Sequence, residues 1–309
     1  MQTTNLTPSP PFSNPGARWL APPRRRLLRL SAGLAALASP LIGSPLAGAA
    51  RAEAGGIVRV AGNGGAMGAM RQLASAHADR TPGAEMRFVP NLGSSGGIAA
   101  LLAGVVDLAV AARSTNERER IAGAVCTAYA RTPICFATHP GVADITSLTP
   151  DDAARILSGD QSQWPDGSPI RPVRRPHNDA MTLALSAASP TMQRAMERLQ
   201  RRPGITTAGN DQDNAEALES VRGAFGAITL AQHLTERRRL RLLTLDAVEP
   251  TAAALAEGRY PLAITLYAVV RADASPATVA FQEFLLGADG AAGLRATGHD
   301  VPTPAGRAS

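Results

Sequence analysis

Three short stretches of the 309-residue sequence combine residue types at spacings that could do chemistry. The first, Gly93-Ser94-Ser95-Gly96-Gly97, fits the Gly-x-Ser-x-Gly elbow in which a central serine, here Ser95, is a nucleophile at a strand-to-helix turn. A triad would also need a later acid and a histidine, which His299 and any of several Asp residues supply formally. No His-Gly-Gly oxyanion segment precedes it. Without a nucleophile's role, the same residues offer two hydroxyls and bare N–H groups to an anion. The second stretch, Gly62-Asn63-Gly64-Gly65-Ala66-Met67-Gly68, is glycine-rich and could present backbone N–H groups to a phosphate at a helix start. A dinucleotide version expects an acid at the end of the following strand, but that strand ends Val89-Pro90-Asn91, so a plain tight turn competes with a binding loop. The third, Arg175-Pro176-His177-Asn178-Asp179-Ala180, sets a cation before a helix start. Arg175 could clamp an oxyanion through two parallel hydrogen bonds, whereas Asn178 or Asp179 could simply be the helix N-cap. The five histidines are scattered without ligand spacing, which leaves a metal site unsupported.

These stretches need strands and helices to hold them, and the pattern alternates between the two as in an α/β protein. Ile57 to Ala61 reads as a short apolar strand, and Met67, Met70, Leu73, Ala74 and His77 recur at helical spacing. Met86 to Val89 is a second strand, a helix runs through Leu102, and Val105 to Ala111 is a third strand ending near Arg113. Ala128 to Thr138, interrupted by Pro133, reads as a crossover into a second lobe. Thr149-Pro150-Asp151-Asp152 opens a helix with a hydroxyl cap, proline in the first turn and acids near the positive end of the dipole. Val173 to Arg175, Phe225 to Ile228 and Leu262 to Val270 are further strands, and Phe281, Phe284, Leu285 and Leu294 mark terminal helices.

The first 52 residues read as a targeting segment: Arg24-Arg25-Arg26, then Leu27-Leu28-Arg29, then a charge-free apolar run from Leu30 to Ala50. The paired arginines followed by leucines suit a twin-arginine export signal, with an ordinary secretory signal as the rival. Export changes how the formal charge of +6 should be read. The leader carries six arginines and no acid, so the remainder has 25 arginines against 25 acids and is formally neutral. A nucleic-acid footprint needs a clustered basic excess, and the one dense cluster, Arg237-Arg238-Arg239 with Arg241, reads as a solvated helix end. Cys126 and Cys135 could pair in an oxidising compartment. On one continuous strand they could not, because nine residues of strand separate Cα atoms by about 30 Å.

Taken in order, the segments resemble the phosphate-binding proteins of ABC importers, within the type II periplasmic-binding-protein superfamily. The match runs from about Ile57 to Pro302 and is most specific at Gly93-Ser94-Ser95-Gly96-Gly97-Ile98 followed by Val105 to Arg113. Ile156-Leu157-Ser158-Gly159 before Trp164, Gly223 to Ile228, Tyr260-Pro261-Leu262 and Phe284-Leu285-Leu286 agree with it. The resemblance implies a two-lobed α/β fold, each lobe a mixed sheet flanked by helices, with lobe 1 formed by residues 53–127 and 262–309 and lobe 2 by 128–261. It implies an exported, periplasmic or otherwise extracytoplasmic monomer that is no enzyme and needs no cofactor. That monomer would hold a small anion such as phosphate between the lobes and deliver it to an ABC transporter permease. Asn63, Gly64, Gly65, Ser94, Ser95, Arg113, Arg175, Asn178 and Asp179 would face that cleft. The chain departs from the family where Asp179-Ala180-Met181 replaces Ser-Gly-Thr, and where Asn63-Gly64-Gly65 offers no hydroxyl. An ionised Asp179 would repel a phosphate dianion. Either it points away as a cap, or it accepts a hydrogen bond from a protonated oxyanion, or the ligand is another small polar molecule.

Overall fold

The structure, a computed structural model, describes residues 55–90 and 92–301. The expected leader, residues 1–52, lies outside the described residues. Most of the β-structure forms one mixed sheet with strand order β2-β1-β3-β11-β4-β8-β6-β7. The strands are β1 (Gly56–Gly62), β2 (Ala84–Phe88), β3 (Leu108–Ala111), β4 (Ala124–Thr138), β6 (Arg171–Arg174), β7 (Thr206–Thr207), β8 (Ala224–Thr229) and β11 (Ala263–Arg271). Short strands β5 (Ser147–Leu148) and β10 (Thr244–Leu245) pair separately, and β9 (Arg241–Leu242) adds to β4.

The parallel trio β2-β1-β3 and the parallel trio β8-β6-β7 are joined through antiparallel β11 and β4. β4 is the shared strand: Ala124 to Pro133 pair with β11, and Ile134 to Thr138 pair with β8. The change of partner falls at Pro133, a residue without an N–H to give to a ladder. The apolar stretch that the sequence presents as a crossover is therefore the far part of one long strand. It carries both cysteines, Cys126 half-buried and Cys135 buried, and both are free thiols.

Two glycines fix where the first half of the sheet meets the helix that follows β2. Gly62 ends β1 at φ +138°, and a Cβ there would stand 1.9 Å from the Val110 carbonyl oxygen of β3. Gly97, one turn into the helix Gly93–Leu102, packs so closely that its Cβ would be 2.7 Å from the Gly62 Cα. Backbone against backbone, the strand ends and that helix start are pinned together. Buried Ile98, Leu101, Ala61, Ala109 and Val269 fill the space beneath. In the second half, the Thr149-Pro150 signal is realised as a capping box on the helix Pro150–Ser158. That helix packs on Pro190–Arg201, a helix the sequence reading did not anticipate. In the arginine cluster Arg237 and Arg239 are exposed as expected, while Arg238 is half-buried and held between Glu219 and Glu236.

Candidate functional site

Three helices begin at the C-terminal ends of the sheet strands, one at each stretch singled out in the sequence. The helix Gly64–Ala78 follows β1 with Asn63 as its N-cap residue, but Asn63 makes no capping bond and the first turn holds no acid. Its N–H groups are met from the other half of the sheet by Asp211, the first residue of the helix Asp211–Ser220. Asp211 Oδ2 accepts from Gly65 N at 3.1 Å and from Asn63 Nδ2 at 3.2 Å. The neighbouring Gln212 Nε2 donates to the Gly64 carbonyl at 3.2 Å. A Cβ on Gly64 would lie 2.5 Å from Gln212 Oε1 and 3.0 Å from Asp211 Oδ2, so this glycine admits a protein side chain. The N-terminus of a helix favours negative charge, and here the chain supplies its own.

The helix Gly93–Leu102 starts differently. Leu92 gives no side-chain cap, no acid sits in the first turn, and Gly93 takes φ +63°. Ser94 Oγ accepts from Ala112 N at 2.9 Å, a backbone donor just past β3. Ser95 Oγ accepts from Arg113 Nε at 3.2 Å and Nη2 at 3.1 Å. Both hydroxyls are thus engaged as acceptors, which leaves their protons for something else. Arg113 also grips Glu119 in a two-pronged pair, 2.7 and 2.9 Å. Glu119 is the third residue of the short helix Glu117–Ile121 and closes a capping box with Asn116. The Arg113 hydrogen bond holds the Glu119 carboxyl below the usual carboxylate range, against the opposing effect of burial.

The third start is that of the helix Ala180–Ala188. Asp179 is its N-cap, with Oδ1 accepting from Met181 N at 3.0 Å. Its other oxygen accepts from Arg175 Nη2 at 2.7 Å, and the same Nη2 stands 3.3 Å from Asp211 Oδ1. Arg175 is 7% exposed, and its Nε and Nη1 have no hydrogen-bond partner among the described residues. Burial works against the Arg175 charge, but Asp211 and Asp179 outweigh it and hold the pKa above its ordinary value. Burial pushes the Asp211 carboxyl up; Arg175 opposes that and Asp179 adds to it.

Between the second and third starts lies a cavity of about 140 Å³, lined by Leu92 to Gly96 and Arg113 on one side and by Pro176, Asn178 to Ala180 and Gly209 on the other. Of the residues picked from sequence, Ser94, Ser95, Arg113, Asn178 and Asp179 line it together. Arg175 does not; it joins the cavity's Asp179 to Asp211. Asn63, Gly64 and Gly65 are not among the lining residues either and are linked to the rest through Asp211 and Gln212. Asp211, Gln212 and Glu119 escaped the sequence reading. The signal for the first two was present, since Asn210 followed by acids is a helix start, and Asn210 Oδ1 does cap Asp213 N.

The nucleophile reading finds no geometry here. Ser95 Oγ meets a guanidinium, which cannot take its proton, and His299 is 1% exposed and bonded within its own turn to Thr297 Oγ1 and the Leu294 carbonyl. Burial lowers the His299 pKa to about 4. Among the described residues no group of His, Cys, Asp and Glu is placed to hold a metal ion. Nor is any helix among them long and apolar enough to cross a membrane.

Comparison with known proteins agrees with the architecture. No curated protein sequence matches the chain. A protein from Clostridium perfringens, assigned as a phosphate ABC transporter substrate-binding protein and solved with phosphate, aligns over 80% of this chain and 100% of its own at 19% identity and a TM-score of 0.69. An ABC-type phosphate transport receptor from Vibrio cholerae aligns over 79% of this chain and 100% of its own at 17% identity and a TM-score of 0.57. The Azotobacter vinelandii periplasmic molybdate-binding protein covers 80% of this chain and 100% of its own at 17% identity and a TM-score of 0.56. At such identities the likeness is one of fold. The family model of the PBP superfamily domain matches residues 47–289, which is most of the sequence. The chain belongs to the PBP superfamily, in its two-lobed type II form.

Proposed function

We propose that this protein is the extracytoplasmic solute-binding component of an ABC importer and that it holds a small oxyanion, phosphate first, in the cavity between Ser95 and Asn178. The observation that carries this reading is the open start of the helix Gly93–Leu102. Among the described residues no side chain caps it, its two hydroxyls each already accept a hydrogen bond, Ser94 from Ala112 N and Ser95 from Arg113, and Arg113 stands beside them. Such a start is a ready-made anion site. Its 140 Å³ is below the roughly 300 to 1,000 Å³ of pockets that take drug-sized molecules, which suits one small ion. The Clostridium perfringens neighbour holds phosphate and the Azotobacter vinelandii neighbour is a molybdate-binding protein.

In this reading residues 53–127 and 262–309 form lobe 1 and residues 128–261 form lobe 2. β4 and β11 carry the chain between them, and closure presents a new face to a membrane permease. The protein works as a monomer delivered by its leader. Asp179 lines the cavity, but its charge is met within the chain, one oxygen accepting from Met181 N as a helix cap and the other from Arg175. A second reading, another small polar ligand in the same cleft, is favoured by the charge count, since Glu119, Asp179 and Asp211 outnumber Arg113 and Arg175. Calorimetric titration with phosphate, sulfate and molybdate decides between them. A saturable heat with phosphate or molybdate is the expected result, and silence toward all three removes the oxyanion.

A further inference from the structure

We infer that Asp211 is an intramolecular stand-in for an anionic ligand, and that it sets the protein's oxyanion affinity by holding one of two anion places. The inference rests on reading the adjoining cavity as an oxyanion site. A bound oxyanion draws on three kinds of donor: helix N–H groups, side-chain N–H groups and a guanidinium. Asp211 already has the first two as hydrogen bonds, from Gly65 N and Asn63 Nδ2, and the third as an ion pair, with Arg175 Nη2 at 3.3 Å. The approach is tailored rather than incidental. Gly64 lacks the Cβ that would collide with Asp211 and Gln212, and Gln212 fastens the same contact by donating to the Gly64 carbonyl. Gln232 Nε2 donates to the Asp211 carbonyl at 3.2 Å, so the backbone behind the carboxylate is held as well.

Two consequences follow for the ligand. The glycine loop at Gly64, read from sequence as a ligand element, is taken, so an incoming ion is confined to the Gly93 start. Asp211 also draws on the charge of Arg175, the cation that pairs with Asp179 in the cavity wall. Two Arg175 donors, Nε and Nη1, remain without a partner, buried in an 8%-exposed side chain. The guanidinium is therefore under-used where it stands, and removing the negative charge of Asp211 releases it toward the cavity.

The test uses Asp211→Asn, which keeps an acceptor for Gly65 N and the side-chain shape while removing the charge, and Asp211→Ala, which empties the place. Phosphate and molybdate are titrated calorimetrically into the mature wild-type protein and into Asp211→Asn. Tenfold or greater tightening in Asp211→Asn is expected. An unchanged or weaker constant in that variant, beside measurable binding by the wild type, overturns the inference while leaving the oxyanion reading intact. Acetate is the second probe, read as a thermal shift. It should raise the melting temperature of Asp211→Ala and leave the wild type unmoved, because the small carboxylate refills the vacated start. If neither protein binds an oxyanion, the oxyanion reading falls, and the acetate arm alone decides whether Asp211 occupies an anion place. No acetate effect then overturns the inference too. Should Asp211→Ala fail to fold, the phosphate titration of Asp211→Asn decides.

Discussion

The helix starts at Gly64 and Gly93 look alike in sequence, each a strand leading into glycines and small residues, yet they end up in opposite states. At Gly64 the N–H groups are met by Asp211, a carboxylate of the same chain, and the glycine exists to let it in. At Gly93 no side chain among the described residues caps the helix, and the nearby hydroxyls and Arg113 are arranged around an open cavity. Glycine-rich turns mark where a backbone can donate, but what arrives there is decided by residues more than a hundred positions away. The contrast also explains the two arginines. Arg113 stands beside the open start with one carboxylate for company, whereas Arg175 is buried under the filled start with two.

The most severe way to break the contrast is to pry both starts from the strands that carry them. Gly62→Ala would drive a Cβ into the Val110 carbonyl at a positive φ, and a loss of about 3 kcal/mol or more in urea unfolding is expected. A variant as stable as the wild type would mean that the strand ends give way easily. Next in size is Arg175→Met, which leaves Asp179 and Asp211 buried near each other without their cation. Breaking a buried pair of this kind costs about 3 to 5 kcal/mol, again by urea unfolding. A small loss would show that the filled start is held by Gly65 and Asn63 rather than by charge.

Ser95→Ala sharpens the open side. If the proposed anion accepts the Ser95 hydroxyl proton, the mutation removes that bond, so phosphate affinity should fall about tenfold, the worth of one hydrogen bond to an ion, with little change in stability. Unaltered calorimetry would place the ion elsewhere. The smallest effect concerns pH. Burial raises the Asp211 pKa in the folded state, so the fold favours the protonated acid. The stability this contributes is fully present below the ordinary carboxylate value and is lost as pH rises through the raised one. Wild type minus Asp211→Asn should therefore improve on acidification from neutral pH, with Arg175, Asp179 and Asp213 as the charged neighbours that shape the curve. A flat difference would show that Asp211 titrates as it does in the unfolded chain.

Much of the architecture was legible because the relevant signals are local. Thr149-Pro150-Asp151-Asp152 announces a helix whatever it packs on, and the capping box appears as read. Apolar runs such as Phe225 to Ile228 and Leu262 to Val270 could be little other than buried strands. The helices Pro190–Arg201 and Asp211–Ser220 were missed although Ser189-Pro190 and Asn210-Asp211 are ordinary start signals, since long polar faces masked their thin apolar stripes. The candidate site was half legible. Ser94, Ser95, Arg113 and Asp179 could be named because they sit beside glycines and caps. The partnership of Asp211 with Gly65 could not, because it spans 146 residues and depends on how two halves of a sheet face each other.

β4 carries one last consequence, for redox handling. Cys126 and Cys135 share that single extended strand, so no oxidising compartment can join them within one molecule. Cys135 is fully buried, and burial pushes its thiol up, away from the reactive thiolate. Cys126 is then the thiol through which a molecule can be cross-linked to another. A disulfide-linked pair on a non-reducing gel would run through Cys126, and the same thiol offers one place to attach a dye on the strand that both halves share.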